Sequence, residues 1–314
     1  MKLPYEEFDL SGIKTYPLRS RSSKVGLAQF ATPYKAGSGV NGLVNSLPSL
    51  LAASDFKEVV AAIAAAKRDG KAIIWGLGAH VLKTGLSPVL VDLMERGFIS
   101  AIATNGAGVI HDFEIALSGG TSEDVDATLG PGTFGMAEET GTQLNRAIND
   151  GAAAGLGLGQ SVGKYLDAAK PSFAQISVMA TAWRLQIPVT VHVALGTDII
   201  HMHPQASGAA IGEASLRDFK YFVSLVSRLE RGVYLNCGSA VVLPEVFLKA
   251  VAIARNDGTP LDGLTTVNLD FLRHYRPLTN VVNRPTAGTG KGYSLTGHHE
   301  LLIPLLAAAL VESA

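Results

Sequence analysis

The sequence is poor in cysteine, in excess charge and in long apolar runs. Its 314 residues include one cysteine, Cys237, so no disulfide forms within the chain, which favours a reducing compartment. Lys and Arg number 26 against 27 for Asp and Glu, and such a balance argues against binding to nucleic-acid phosphates. The longest apolar runs, residues 59–66 and 301–311, fall short of the ~20 residues that a membrane span needs.

The first ten residues also lack the basic and apolar stretches of a signal peptide, since they carry Glu6, Glu7 and Asp9. We therefore expect a cytoplasmic protein whose partners are neither nucleic acid nor membrane. The hydrophobic content is nevertheless 47%. A parallel sheet covered by helices on both faces accounts for this value, and so does an oligomer with an apolar interface.

Strand-like apolar runs alternate with helix-like patterns along most of the chain. Buried strands are expected at residues 71–75, 99–103, 187–194, 232–235 and 264–267. The alternation predicts an α/β protein with a doubly wound, mostly parallel sheet and extra helices. Residues 1–50 lack strong periodicity and are predicted to form an arm over the domain or over a neighbouring subunit. Residues 51–314 are predicted to form a single α/β domain.

Small and polar residues follow four of the predicted strands. They are Gly76, Gly78 and His80; Thr104, Asn105, Gly106 and Gly108; Gly196, Thr197 and Asp198; and Asn236, Gly238 and Ser239. Ligands of open parallel sheets bind beyond the carboxyl ends of the strands, where glycine lets the backbone approach a pyrophosphate. The usual G-x-G-x-x-G fingerprint is incomplete, because Val81 and His111 stand where a third glycine belongs. The four corners predict a dinucleotide crevice that binds its cofactor in a non-standard manner.

Residues 99–121 combine a glycine turn with ionisable side chains. His111, Asp112 and Glu114 lie within two helical turns of Gly108. Carboxylates near a helix N-terminus are explained by the helix dipole, but a histidine there is a candidate acid or base near neutral pH. His111 is therefore the candidate catalytic residue. Residues 118–136 are predicted to form a long loop, a length that is more often functional than idle.

Other histidines and one lysine suggest competing chemistry. His201 and His203 alternate as metal ligands often do, with Asp198 as a third ligand, although the two histidines also suit the end of a loop. A metal-dependent hydrolase is thus an alternative function. Residues 298–300 are predicted to form a solvent-exposed turn. Residues 285–292 depart from a P-loop at both ends, which leaves Lys291 as a mobile cation or amine.

Several segments resemble the deoxyhypusine synthase family in order and spacing. They are WGLGAHVLKTG (75–85), IATNGAGVIHDFE (102–114), SVMATAWRLQIPVTVHVALGTD (177–198), GVYLNCGSAVV (232–242) and HHELLIPLLAAAL (298–310). Residues 109–114, followed by Gly120-Thr121-Ser122, are also similar to the NAD-dependent ornithine cyclodeaminase family of LOR/SDH type.

These resemblances imply a deoxyhypusine synthase-like Rossmann fold that binds NAD. The cofactor would lie at residues 76–85, including Thr84, and at residues 104–108, with Asp198 and residues 236–239 lining the site. They also imply a homotetramer with sites at subunit interfaces. Both families pass a hydride from an amine-bearing carbon to NAD.

The chain departs from the synthase family in three segments. It has no Trp-Gly-Lys tripeptide, residues 243–245 replace the paired histidines, and residues 272–277 replace an acidic Asp-Gly-Ser-Asp segment. These departures argue against transfer of an aminobutyl group to a protein lysine, and so against a true deoxyhypusine synthase.

The sequence therefore predicts an NAD-dependent enzyme that oxidises a small amine or amino acid to an imine, as a deaminase, a cyclase or an aminoalkyl transferase acting on a small molecule. We expect His111 to accept or donate the proton and Lys291 or Asp198 to orient the amine. Arg273 and Arg276 are expected to hold a substrate carboxylate, for which the planar guanidinium is well shaped. A non-catalytic NAD-binding protein is a further alternative.

Overall fold

The computed structural model describes residues 4–313, and its centre is a six-stranded sheet. The strands are β1 (Ile73–Leu77), β2 (Ala101–Asn105), β3 (Val189–His192), β4 (Val233–Cys237), β5 (Thr265–Asp270) and β6 (Lys291–Thr296). They lie in the order β3-β2-β1-β4-β5-β6, and each neighbouring pair is parallel. The direction of winding changes between β1 and β4, as in doubly wound nucleotide-binding folds. The predicted fold class is confirmed, and the sheet is parallel throughout.

Helices cover both faces of this sheet. Within residues 4–313 they are α1 (Gly39–Ser46), α2 (Leu51–Arg68), α3 (Ala79–Lys83), α4 (Ser87–Glu95), α5 (Gly106–Ser118), α6 (Val125–Leu129), α7 (Glu138–Ala153), α8 (Leu158–Ala169), α9 (Val178–Arg184), α10 (Gly208–Val226), α11 (Val242–Asn256), α12 (Tyr275–Pro277) and α13 (His299–Glu312). Short 3₁₀ turns join some of them, and a π-helical segment, Leu278–Asn283, follows α12. None of these helices combines the length and hydropathy of a membrane span.

Strands β1 to β5 are buried on both faces, which explains the high hydrophobic content. Alternate residues of a strand point to opposite sides of a sheet. On β1, Ile73, Trp75 and Leu77 join a core that includes side chains of α2, α5 and α13, whereas Ile74 joins a second core with α10 and α11. In the second core the rings of Tyr234 and Phe247 stack with their centroids 3.8 Å apart.

The free edge of β3 is closed by side chains of α10. Asp218 is fully buried, and its Oδ2 accepts hydrogen bonds from the backbone N–H groups of Val191 (2.9 Å) and Gly159 (3.0 Å). Ser215 donates to the carbonyl of Val191 and accepts from the N–H of Val193. Because side chains satisfy the backbone groups of this edge, it offers little to another strand.

The segment predicted as an arm contains both an exposed stretch and a docked helix; its residues 1–3, like Ala314 at the end of the domain, lie outside the described part. Ten large apolar side chains between Tyr5 and Tyr34 are at least 49% exposed. Helix α1 instead meets the end of α13, because the Glu312 carboxylate accepts hydrogen bonds from the N–H groups of Val40 (2.9 Å) and Asn41 (2.8 Å).

Asp218 makes the stability of the fold depend on pH. Burial raises its pKa from the usual 3.8 to about 7, although hydrogen bonds from Gly159 and Val191 oppose the shift. The native state therefore holds this proton more tightly than the unfolded chain, so the stabilisation is full at low pH and is lost as pH rises through about 7. Urea unfolding at pH 5 and pH 8 should show that Asp218→Asn removes part of this decline.

The control for this experiment is Asp167→Asn, which changes an exposed carboxylate on α8. This control should keep the pH dependence of the wild type. Equal pH slopes for the wild type and Asp218→Asn would contradict the assignment.

Candidate functional site

The carboxyl ends of β1 and β4 meet at the switch point of the sheet, and their glycine turns touch. The N–H of Gly78 donates to the carbonyl of Cys237 at 2.7 Å. A Cβ atom on Gly78 would lie 2.2 Å from the carbonyl oxygen of Gly238. Gly238 has a φ of +72°, which glycine adopts without strain. The two turns thus form a crevice of bare backbone, which is the surface that a pyrophosphate can approach closely.

Two buried side chains at this crevice have hydrogen-bond acceptors that residues 4–313 leave unpartnered. Asn236 donates from Nδ2 to the carbonyl of Ser239 (2.9 Å) and to Oδ1 of Asn268 (2.8 Å), and its own Oδ1 has no partner. His299 donates from Nε2 to the carbonyl of Leu269 (3.2 Å), which leaves Nδ1 as an unused acceptor. Burial lowers the pKa of His299, which favours the neutral ring.

The structure corrects the expectation that residues 298–300 are all exposed, because His299 is only 1% exposed. Its ring lies beside that of His80, with centroids 5.7 Å apart. Both residues therefore border the crevice. Thr84 lies at the end of α3, where its hydroxyl donates to the carbonyl of His80.

The corner between β2 and α5 is built around a carboxyl group. Thr104 donates to the carbonyl of Leu77 (2.8 Å), and Asn105 Oδ1 accepts from the N–H of Gly108 (2.9 Å) to cap the helix. A Cβ on Gly106 would lie 1.9 Å from Oδ2 of Asp198. Gly106 therefore lets the Asp198 carboxyl reach the first turn of α5, where a phosphate would otherwise be favoured.

A cavity of about 520 Å³ opens beside this corner, between α3, α5 and the loop that carries α6. Its ionisable lining residues are Lys83, His111, Glu114, Glu123 and Asp198. Three carboxyl groups thus face one ammonium and one imidazole. The volume suits a small molecule, and the surplus of carboxyl groups favours a cationic one.

His111 is held by two other side chains of the cavity. Its Nδ1 lies 2.7 Å from the hydroxyl of Thr121, which donates to Glu114 Oε2 at 2.5 Å. Thr140 on α7 donates to the other oxygen of Glu114 at 3.1 Å. Burial lowers the pKa of His111, the charge of Glu114 opposes the shift, and Lys83 adds to it. The imidazole is therefore neutral and able to accept a proton at neutral pH.

Asp112, the next residue, points away from the cavity and serves another helix. Its carboxyl group is fully buried and accepts hydrogen bonds from Ser177 Oγ (2.5 Å) and from the N–H groups of Val178 (2.7 Å) and Met179 (3.1 Å). It thereby caps the N-terminus of α9. Burial raises the pKa of Asp112 to about 6, and the three hydrogen bonds oppose this shift.

Asp198 and His201 face each other, whereas His203 is turned elsewhere. His201 Nε2 lies 3.8 Å from Asp198 Oδ2, and burial raises the pKa of Asp198. His203 Nε2 lies 2.9 Å from the carbonyl oxygen of Gly135, and the ring packs on Gly141. Within residues 4–313 no three His, Cys, Asp or Glu side chains are grouped to hold a metal ion, so the alternative set of Asp198, His201 and His203 is not assembled.

Three residues that the sequence placed at the site lie away from the cavity. Lys291 is the first residue of β6 and therefore lies at the amino-terminal end of the parallel strands. Its Nζ lies 3.3 Å from Glu58 Oε2. Arg273 is exposed, and Arg276 Nε lies 3.4 Å from Glu245 Oε1. Within one chain, therefore, neither Lys291 nor either arginine lines the cavity beside His111.

The cation of the cavity is Lys83, which sequence reasoning missed. It belongs to the segment WGLGAHVLKTG and is the last residue of α3, the helix that follows the first glycine turn. Because β1 and β2 are neighbours in the sheet, the helices that follow them, α3 and α5, pack together. Thr121 was also missed as a site residue, although it belongs to the Gly-Thr-Ser segment that carries the LOR/SDH resemblance.

No known family profile matches the chain, and no curated protein matches its sequence. Solved structures do share its fold. AgrE in complex with ornithine and NAD⁺ is 16% identical with a TM-score of 0.55, over 90% of this chain and 34% of AgrE. An LOR/SDH protein from Methanococcus maripaludis S2 is 18% identical with a TM-score of 0.51, over 89% of this chain and 72% of that protein.

A protein from Entamoeba histolytica assigned as a deoxyhypusine synthase is 14% identical, with a TM-score of 0.50. The match covers 90% of this chain and 96% of that protein, whereas the chain spans about a third of AgrE. Identities this low establish the fold alone. At that level they confirm the resemblance to both families: the chain shares its fold with a deoxyhypusine synthase-like protein, an LOR/SDH protein and a protein that binds NAD⁺.

Proposed function

We propose that this protein is an NAD-dependent enzyme that oxidises a small cationic amine or amino acid to an imine. The observation that carries the proposal is that the carboxyl ends of the strands hold two features side by side. One is a crevice of bare backbone, and the other is a cavity with an oriented, neutral imidazole. The cofactor would lie in the crevice between Gly78 and Gly238, and the substrate would lie in the cavity beside His111.

The residues of the crevice fit this cofactor. Gly78 and Gly238 expose backbone to a pyrophosphate, while Asn236 Oδ1 and His299 Nδ1 are buried acceptors in need of donors. Ribose hydroxyls and a carboxamide supply such donors. Asn105, by contrast, stands where many such folds place an acidic residue, and its side-chain oxygen already caps α5. When bound, NAD would accept the hydride.

The residues of the cavity would bind and deprotonate the substrate. Glu114, Glu123 and Asp198 favour an ammonium group, and Lys83 is placed to bind the carboxylate of an amino acid. His111 Nε2 would take a proton from the ammonium. The lone pair that this frees on nitrogen would assist the departure of the hydride from the neighbouring carbon.

Cofactor binding is measured by calorimetry with NAD⁺. We expect the wild type to bind and His299→Phe to bind roughly tenfold more weakly, because the variant keeps a ring but loses the Nδ1 acceptor and the hydrogen bond from Nε2 to Leu269. Gly212→Ala is the control, since a Cβ at this position would meet no atom within 4 Å. A wild type that does not bind NAD⁺ would overturn the proposed function.

Turnover is measured as NADH formation with a panel of polyamines and basic amino acids. His111→Ala should lower kcat by about 10²-fold, the usual contribution of a general base, and leave NAD⁺ affinity unchanged. Lys291→Ala should leave kcat unchanged, because Lys291 lies at the amino-terminal end of the strands, opposite the cavity. If NAD⁺ binds but none of these amines reduces it, the non-catalytic alternative is the better description.

We also infer that the protein is a homo-oligomer, a tetramer by resemblance. The ten exposed apolar side chains between Tyr5 and Tyr34 support this, because a patch of that kind usually marks an interaction surface. Light scattering should give the mass of a tetramer, and deletion of residues 4–28 should shift the mass toward smaller species. A monomeric wild type at micromolar concentration would contradict the inference.

A further inference from the structure

We propose that Thr121 and Glu114 are positioning residues that hold His111 as the Nδ1–H tautomer and leave Nε2 as the proton acceptor of the cavity. The assignment of the tautomer depends only on the hydrogen bonds around His111. Its consequence, that Nε2 takes a proton from a substrate ammonium, rests on the proposed function.

Glu114 determines which groups around His111 donate and which accept hydrogen bonds. A carboxylate accepts hydrogen bonds and donates none, whereas a hydroxyl has a single proton to donate. Thr140 donates to Oε1 of Glu114 at 3.1 Å, and Thr121 donates to Oε2 at 2.5 Å. The proton of Thr121 is thus committed to Glu114.

The oxygen of Thr121 then faces His111 with a lone pair. Nδ1 of His111 lies 2.7 Å from that oxygen, so this nitrogen must carry the proton of the hydrogen bond. A neutral imidazole has one N–H group, and Nε2 is therefore unprotonated. Nε2 has no hydrogen-bond partner among residues 4–313, and the ring lines the cavity.

Three other histidines, His299 buried and His201 and His203 half-buried, have the opposite tautomer. His203 and His299 each place Nε2 within 3.2 Å of a backbone carbonyl, which requires Nε2–H. His201 accepts N–H groups at Nδ1 from Gly196 (3.1 Å) and Asp198 (3.3 Å), which also leaves the proton on Nε2. His111 thus stands apart from these three, and they provide internal references for a measurement.

The arrangement also defines the path of the proton. The N–H bond of a substrate ammonium breaks, an N–H bond forms at His111 Nε2, and the electron pair remains on the amine nitrogen. The imidazolium that results is stabilised by the negative charge of Glu114 through the hydroxyl of Thr121. Lys83, Glu123, Asp198 and His80 are the other titratable groups near the ring. Lys83 and His80 lower the pKa of His111, which favours return of the proton.

Thr121 links this base to the loop that follows α5. The same loop supplies Glu123, Val125 and Phe134 to the wall of the cavity, and Gly135 within it is tied to His203. The tautomer of His111 is therefore set only while the loop is in place.

The test is nuclear magnetic resonance of the full chain labelled with ¹⁵N-histidine, using long-range N–H correlations at neutral pH and His111→Gln to assign the signal. We expect His111 to be protonated at Nδ1 and His201, His203 and His299 at Nε2. In Thr121→Val the ratio of the Nδ1–H to the Nε2–H tautomer of His111 should fall at least roughly fivefold. This is the change in an equilibrium that the loss of one hydrogen bond produces. Thr121→Ser should restore the wild-type ratio.

Thr133→Val changes an exposed threonine of the same loop and should leave the ratio unchanged. Glu114→Gln gives a second route to the same result, because its amide can donate to Thr121 and turn the hydroxyl proton toward His111. A wild-type His111 that is protonated at Nε2, or an unchanged ratio in both Thr121→Val and Glu114→Gln, would overturn the proposal. Neither result depends on NAD⁺, so failure of cofactor binding and failure of this inference are separate outcomes.

Discussion

The contact between the turns after β1 and β4 is the constraint on which the site depends. Gly78 lies so close to the carbonyl of Gly238 that it cannot carry a side chain, and a Cβ on Gly238 would lie 2.9 Å from the ring of His299. This contact exists because the chain returns from β3 to pair β4 with β1, which brings residues 160 positions apart to the same end of the sheet. The crevice, the helix α3 and the cavity beyond it all take their positions from that pairing.

Much of the fold follows from local apolar patterns, but its last strand does not. Strands buried on both faces, such as Ile73–Leu77, have runs of apolar residues that are evident in the sequence. In β6 only Tyr293 and Leu295 are buried, and the strand begins within the glycine-rich stretch of residues 288–292. A half-exposed edge strand in such a stretch resembles a loop, and β6 is absent from the strands that the sequence predicts.

The same omission explains the assignment of Lys291. Had β6 been recognised, the parallel direction of the sheet would have placed its first residue at the edge opposite the crevice. His111 was found because the glycine turn and the helix around it are contiguous in sequence. Lys83 and Thr121 line the cavity, and Thr140 donates to Glu114. Only the packing of α3, α5 and α7 brings these three residues close to His111. Such convergence has no signature in a single sequence.

Two consecutive residues of α5 have tasks on opposite sides of the helix. His111 lines the cavity, and Asp112 is bound by the first turn of α9, where no ligand is expected. The buried carboxyl group of Asp112 thus fixes the rotation of α5 about its axis from the side opposite the cavity. A variant of Asp112 could mimic a lesion of the cavity while leaving every cavity-lining side chain intact, so loss of function alone is a poor guide to which residues touch the substrate.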